Sequence, residues 1–251
     1  MKYAVATDTG KVRKNNEDFQ AVISAGQDTV FVIADGMGGH AVGELASRTA
    51  VEYVISTLPN ELESANNKKD IEDLLRRVVE KANVKVYLES LDNREFKGMG
   101  TTLTVAVLRD WRLYLSHIGD CRVYMLHGST MDRLTVDHTL VQELIDSGSI
   151  SEVEALTHPK RHVLLKSLGV NEFMSPDSYS IDISQGDLIL MCTDGLYGYV
   201  DESEIRTILR RHKDLQACAD QLVSQANQAG GKDNVTVILV HLDREKNKEN
   251  V

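Results

Sequence analysis

The chain is short of cysteine. Only Cys121, Cys192 and Cys218 occur in 251 residues. A low, odd number without framework spacing excludes a disulfide scaffold and fits a reducing compartment. No Cys or His group has the spacing of a zinc site. Cys121 and Cys192 stand beside Asp120 and Asp194; a thiol role is the alternative, and the reading preferred is small apolar residues buried in strands. Positive charge is also short: 28 Lys and Arg face 38 Asp and Glu, a net charge of −10. That balance argues against non-specific binding to nucleic acid or to an anionic membrane. No apolar run reaches a membrane-spanning length, and Met1 to Asp8 lacks the apolar stretch of a signal peptide. The expectation is a cytoplasmic protein with no membrane insertion. No linker, internal repeat or low-complexity segment divides the chain. Gly10-Lys11 lacks the preceding glycine of a phosphate-binding loop. The remaining composition, 42% hydrophobic and 26% charged, is ordinary for one large globular domain.

What the chain does have is a repeated strand ending. Thr29 to Ile33 is a short apolar, β-branched run that reads as a buried strand, and Ala34-Asp35-Gly36-Met37-Gly38-Gly39-His40 follows. Leu113 to Ile118 ends in Gly119-Asp120. Leu188 to Cys192 ends in Thr193-Asp194-Gly195. Gly230-Gly231-Lys232-Asp233-Asn234 precedes the apolar run Val235 to Val240. An isolated Asp-Gly is usually a turn, and its recurrence at four strand ends is what makes it informative. Carboxylates gathered near a core are unfavourable unless something neutralises them, and a divalent cation is the simplest candidate.

Around these motifs the spacing predicts strands over Tyr3–Thr7, Phe19–Ala25 and Thr29–Ala34, with Gly26-Gln27-Asp28 as a hairpin turn. Helices follow over Ala41–Leu58 and Asp70–Leu91. Four strands with short turns come next, Thr101–Arg109, Arg112–Ile118, Arg122–His127 and Met131–Thr135. Asp137 to Pro159 changes character: a short helix ended by Gly148, then a polar stretch, read as a mobile insertion on one edge. Strands Tyr179–Ile183 and Asp187–Thr193 lead to a helix at Asp201–Arg211, with an Asp201/Glu204 capping box. A helix at Leu215–Ala229 and a strand at Asn234–Leu242 complete the pattern. Arg244 to Val251 reads as a charged, disordered tail. Short strand-to-strand turns imply antiparallel pairing. The whole suggests an α+β fold, a β-sandwich with a helix pair on each outer face.

The candidate ligands Glu17, Asp18, Asp35, Asp120, Asp194 and Asp233 are all hard oxygen donors, which select Mg²⁺ or Mn²⁺. No acidic loop has the dense spacing of a calcium site. Several such carboxylates can hold two ions that generate hydroxide near neutral pH and orient it for attack on phosphorus. Arg13, just upstream of Glu17-Asp18, is the candidate fork for two phosphate oxygens. His40 is the candidate donor of a proton to a leaving alkoxide. His117, His138, His158 and His162 are left as structural or flap residues.

Taken in order, Arg13-x-Asn15-x-Glu17-Asp18, Asp35-Gly36-Met37-Gly38-Gly39-His40, Gly100-Thr101-Thr102, Gly119-Asp120-Cys121-Arg122, Thr193-Asp194-Gly195 and Asp233-Asn234-Val235-Thr236 resemble the metal-dependent protein phosphatases, the type 2C serine/threonine phosphatases, in their compact bacterial form. The resemblance spans Lys2 to about His241. It implies a four-layer α-β-β-α sandwich, one catalytic domain over 1–242 with a flap at about 137–165, and a charged tail at 243–251. It further implies that Asp35 bridges two tightly held Mn²⁺ or Mg²⁺ ions. Asp194 and Asp233 would bind the first. The Gly36 carbonyl would bind the second, which Glu17 reaches directly or through water. Asp120 with Asp194 would hold a third, weaker ion, and Arg13 would grip phosphate. The implied activity is hydrolysis of phosphoserine and phosphothreonine in proteins by direct hydroxide attack, without a phosphoenzyme. Phosphorylated proteins would be the substrates and a bacterial serine/threonine kinase the counterpart, with the phosphatase acting as a monomer. A phosphoprotein-binding pseudophosphatase and a hydrolase of small phosphoesters are the alternatives. Two positions depart from the family pattern: Cys121 replaces a usual Ser, and Met37-Gly38-Gly39 separates His40 from Asp35-Gly36, as in other bacterial members.

Overall fold

The computed structural model describes residues 1–38, 41–211 and 214–243. Its first elements are strands β1 (Lys2–Asp8), β2 (Asp18–Ala25) and β3 (Asp28–Met37), then helices α1 (Ala41–Leu62) and α2 (Lys68–Asp92). Strands β4 (Gly100–Thr101), β5 (Leu103–Arg109), β6 (Arg112–Ile118), β7 (Arg122–His127) and β8 (Thr130–Arg133) follow. Two short helices, α3 (Leu140–Asp146) and α4 (Glu152–Thr157), lead to β9 (Asp177–Asp182) and β10 (Leu188–Cys192). Helices α5 (Asp194–Tyr197), α6 (Glu202–Arg211) and α7 (Leu215–Gln228) precede the last strand, β11 (Val235–His241).

The strands form two antiparallel sheets. One has the order β1-β11-β10-β7-β8, the other β2-β3-β5-β6-β9 with β4 added beside β3. Period two along each strand sorts side chains between layers. On β3, Val30, Val32 and Ala34 pack with α1 and α2, whereas Phe31 and Ile33 face the second sheet. On β10 and β11, Leu188, Leu190, Val237 and Leu239 pack with α5, α6 and α7, whereas Ile189, Met191, Ile238 and Val240 meet Phe31 and Ile33 between the sheets. Three apolar layers thus stack helix, sheet, sheet, helix, which bears out the expected α-β-β-α sandwich. Among the described residues the C-terminal helical layer holds α5, α6 and α7, because the single turn α5 directly continues β10.

Several boundaries differ from the sequence reading. β3 runs on through Asp35, Gly36 and Met37, since Gly36 and Met37 pair with Thr101 and Gly100. α1 passes Pro59 and ends at Leu62, which is completely buried. The 137–165 segment carries a second helix, α4, and there a capping box closes between Ser151 and Glu154. The Glu204 carboxylate, expected to cap α6, takes a hydrogen bond from Gln225 of α7. All three thiols are buried, Cys218 within α7. The tail from Arg244 lies outside the described residues.

One buried base gives this fold a testable acid sensitivity. His117 on β6 is fully buried, stacks on His138 at 5.1 Å between ring centroids, and shares a 2.8 Å hydrogen bond between Nδ1 and Thr104 Oγ1. Burial first, then the neighbouring His138, pushes its pKa down from the ordinary 6.5 to about 4. The unfolded chain therefore binds the proton more readily than the native one. The contribution is complete above about pH 6.5 and is lost as pH falls toward about 4. Between pH 7 and pH 4.5 the wild type should lose about 2 kcal/mol more unfolding free energy than a His117→Gln variant, measured by urea titration. Equal losses would show that His117 does not carry the effect.

Candidate active site

The alternation that sorts the core also delivers the acids. Asp35 lies two positions beyond Ile33 on β3, so it continues the face that looks between the sheets. Its backbone is pinned: the N–H donates to Thr102 Oγ1 at 2.8 Å, and the carbonyl accepts from Thr101 Oγ1 and Thr102 N, each at 2.9 Å. Gly36 follows where α1 comes close; a Cβ there would lie 2.1 Å from the Gly43 carbonyl oxygen, so only glycine fits. Asp120 leaves the end of β6 in the same sheet. The other sheet supplies Asp194, the first residue of α5 after β10, and Asp233, just before β11. The four aspartates thus reach one end of the sandwich from both sheets. They line a cleft of ≈ 460 Å³ together with Arg13, Glu17, Gly36, Thr102, His162, Tyr199, Lys232 and Asn234.

The cleft holds far more negative than positive charge. Enclosure first, then Asp18, Asp194, Asp120 and Asp233, hold the Asp35 carboxyl well above the usual carboxylate range. Burial and Asp194 do the same to Asp120. Asp233 is raised by burial and Asp194, although Arg13 Nη2 donates to its Oδ2 at 2.8 Å. Beneath the cleft, Asp18 pairs with Asp35 across the β2–β3 ladder and is pushed up to about 7, chiefly by burial. One of its oxygens accepts from Thr193 Oγ1 at 2.9 Å, and the other is buried without a hydrogen-bond partner. An orphaned buried carboxylate oxygen and mutually repelling acids form a set that a bound cation would satisfy and neutralise. The donor set is all hard oxygen, which fits Mg²⁺ or Mn²⁺. Among the described residues no three acidic, imidazole or thiol groups form a ready-made cage for an ion. Waters and backbone carbonyls would have to complete any shell, as they commonly do for Mg²⁺.

One wall of the cleft comes from the 137–165 segment. It carries His162, whose Nδ1 lies 3.5 Å from Asp194 Oδ2, and Leu164. Its root is held firmly. Arg122 reaches Asp137 through Nε and Nη2, the latter at 2.7 Å, and lies over the Tyr197 ring at 3.7 Å. Tyr197 in turn donates to the Asp120 carbonyl at 2.9 Å, and Gly119 N donates to His138 Nδ1 at 3.0 Å.

A family profile described as Protein phosphatase 2C matches residues 11–239. The chain belongs to the protein phosphatase 2C family. It is 36% identical to the serine/threonine phosphatase stp of Listeria monocytogenes over 238 residues, 94% of each chain. Among solved structures it is similar to serine/threonine phosphatase Stp1 of Staphylococcus aureus, with a TM-score of 0.89 and 32% identity, over 97% of this chain and 95% of that one. It is also similar to the catalytic domain of the protein phosphatase PstP in complex with two manganese ions. There the TM-score is 0.83 at 32% identity, over 97% of this chain and 98% of the other.

Within this protein phosphatase 2C sandwich, the structure gathers Arg13, Glu17, Asp35, Gly36, Asp120, Asp194 and Asp233 at one cleft. Asp18 does not line that cleft; it is buried beside Asp35 in the same sheet and accepts a hydrogen bond from Thr193. His40 lies outside the described residues. Sequence reasoning did not single out Tyr199, Lys232 or Asn234, and it left His162 as a flap residue. Lys232 and Asn234 flank Asp233, so adjacency was a usable signal for both. Tyr199 and His162 arrive through tertiary folding and had none.

Proposed function

We propose that this protein phosphatase 2C family member hydrolyses phosphoserine and phosphothreonine in proteins, using Mn²⁺ or Mg²⁺. The supporting observation is the convergence of Asp35, Asp120, Asp194 and Asp233 from two sheets on a cleft that Arg13 also lines. Asp35, Asp194, Asp233, Glu17 and the Gly36 carbonyl would hold two ions, and Asp120 with Asp194 a third, weaker one. Asp18 would support Asp35 from below. The ions would supply charge that neutralises these acids and would lower the pKa of water so that it attacks phosphorus at neutral pH. The protein's own part is orientation. Arg13, at the mouth, would take two phosphate oxygens in its fork. In the structure it holds Asp233, so it is already poised over the acids. The departing serine or threonine oxygen needs a proton, a role given to His40 on its place in the sequence. Residues 1–242 would act as one catalytic unit, with 137–165 as the flap beside the cleft. We place the protein in the cytoplasm, as a monomer that reverses the work of a serine/threonine kinase. Among the described residues no helix is long and apolar enough to cross a membrane.

Assays of a phosphothreonine peptide and of small phosphoesters, with Mn²⁺ and then with chelator, test this reading. Metal-dependent turnover that favours the peptide is expected; turnover confined to small esters, or none, would overturn it. Arg13→Ala should raise KM for the peptide by about 10- to 100-fold with kcat little changed, the loss of a charge-assisted pair. An unchanged KM would remove Arg13 from phosphate binding.

A further inference from the structure

The loop that carries Arg13 runs from Thr9 to Glu17 and has no secondary structure of its own. Something else must hold it, because a guanidinium grips phosphate only from a fixed position. The strongest attachment is the side chain of Asn234, which is 5% exposed and more than 215 residues away in sequence. Its Oδ1 accepts from Glu17 N at 2.8 Å. Its Nδ2 donates to the Thr9 carbonyl and the Asn15 carbonyl, each at 2.9 Å. One primary amide therefore ties both ends of the loop. The amide has a single workable orientation, since the reverse would set its oxygen against two carbonyl oxygens and its nitrogen against an N–H. Asn234 N also donates to Asp233 Oδ1 at 2.9 Å, so the residue that holds the loop holds the acid that Arg13 touches.

A second contact closes the clasp from the other side. Lys11 N and Val12 N both donate to the Gly231 carbonyl, at 2.7 and 3.2 Å. Gly10 lies so near that a Cβ on it would come 2.3 Å from the Asp233 carbonyl oxygen, and its φ is +80°. The two loops are packed backbone to backbone, with no room for a side chain between them.

We propose that Asn234 is a positioning residue for the phosphatase reaction: its amide fixes the 9–17 loop so that Arg13 meets the substrate phosphate. This rests on the phosphatase reading above and adds to it a residue that acts through Arg13 without touching substrate. An aspartate or serine cannot replace it, because neither supplies two donors and an acceptor from one planar group.

Two readouts test it, one independent of turnover. Amide hydrogen exchange at residues 9–17 should rise at least about tenfold in Asn234→Ala, with the sheets unchanged. With Mn²⁺ and a phosphothreonine peptide, Asn234→Ala should raise KM by about tenfold or more. In an Arg13→Ala background the same change should alter KM by less than about twofold, because the group it positions is gone. Gly10→Ala, which pushes the loop from its opposite face, should repeat both kinetic results and decides the matter if Asn234→Ala does not fold. Unchanged exchange, an unchanged KM, or a KM effect undiminished in the Arg13→Ala background would each overturn the inference. Absence of turnover by the wild type would count against the phosphatase reading, while the exchange data would still show whether Asn234 holds the loop.

Discussion

Asp35→Asn is expected to yield a folded protein whose kcat/KM for a phosphopeptide is lower by at least about 10³-fold. The substitution keeps the shape of the side chain and leaves the backbone bonds to Thr101 and Thr102 in place. It removes one carboxylate from the acid cluster. In the protein without metal that is a relief, since Asp18, Asp194, Asp120 and Asp233 all oppose the charge on Asp35. The thermal midpoint in chelator should therefore equal or exceed that of the wild type, even as activity vanishes. Opposite movements of stability and activity separate a functional acid from a structural one. An Asp35→Asn protein within tenfold of wild-type activity would sink the assignment of Asp35 to the reaction, and one that melted well below wild type would make Asp35 a structural residue.

Divalent metal should have the second largest effect, and on stability as well as turnover. Ions that bind only the native state stabilise it by about 2.7 kcal/mol at a hundred times their dissociation constant. For a chain of this length each kcal/mol moves the midpoint by about 2–4 °C. Saturating Mn²⁺ should thus raise the wild-type melting temperature by about 5–10 °C over the chelated protein. Asp194→Ala should lose most of that rise, because Asp194 faces both the acid cluster and His162 at the cleft. A wild-type midpoint indifferent to Mn²⁺ and chelator would show that the acids do not gather an ion. The burial and mutual repulsion that raise Asp18, Asp120 and Asp233 would then need another explanation.

Much of this was legible in the chain and some of it could not be. The layered sandwich followed from period-two runs such as Val30 to Ala34, where both faces are apolar because both are covered. The extent of β3 did not, because its last residues pair with Gly100 and Thr101, more than 60 positions away, and nothing local announces that partner. The recurrence of Asp beside glycine or a turn at four strand ends marked the residues that meet at the cleft. Their adjacency is tertiary, set by two sheets meeting at one end. Asp18 shows the limit of reading neighbours together. It follows Glu17 directly, yet alternation along β2 turns it into the interior while Glu17 stays in the loop at the cleft. Asn234 reads as an ordinary turn residue until three backbone groups from the 9–17 loop are seen around it.

The strand order of the first sheet has a consequence for how the protein is made. Among the described residues β1 pairs only with β11, and β11 also pairs with β10. β1 must therefore wait for β11, which is made more than 220 residues later, before it can find its place. At about 5–20 residues per second that wait is tens of seconds. During it the 9–17 loop has neither Asn234 nor Asp233 to rest on. The cleft therefore cannot assemble until β11 lies between β1 and β10, so synthesis of β11 sets the earliest moment at which the acids can meet.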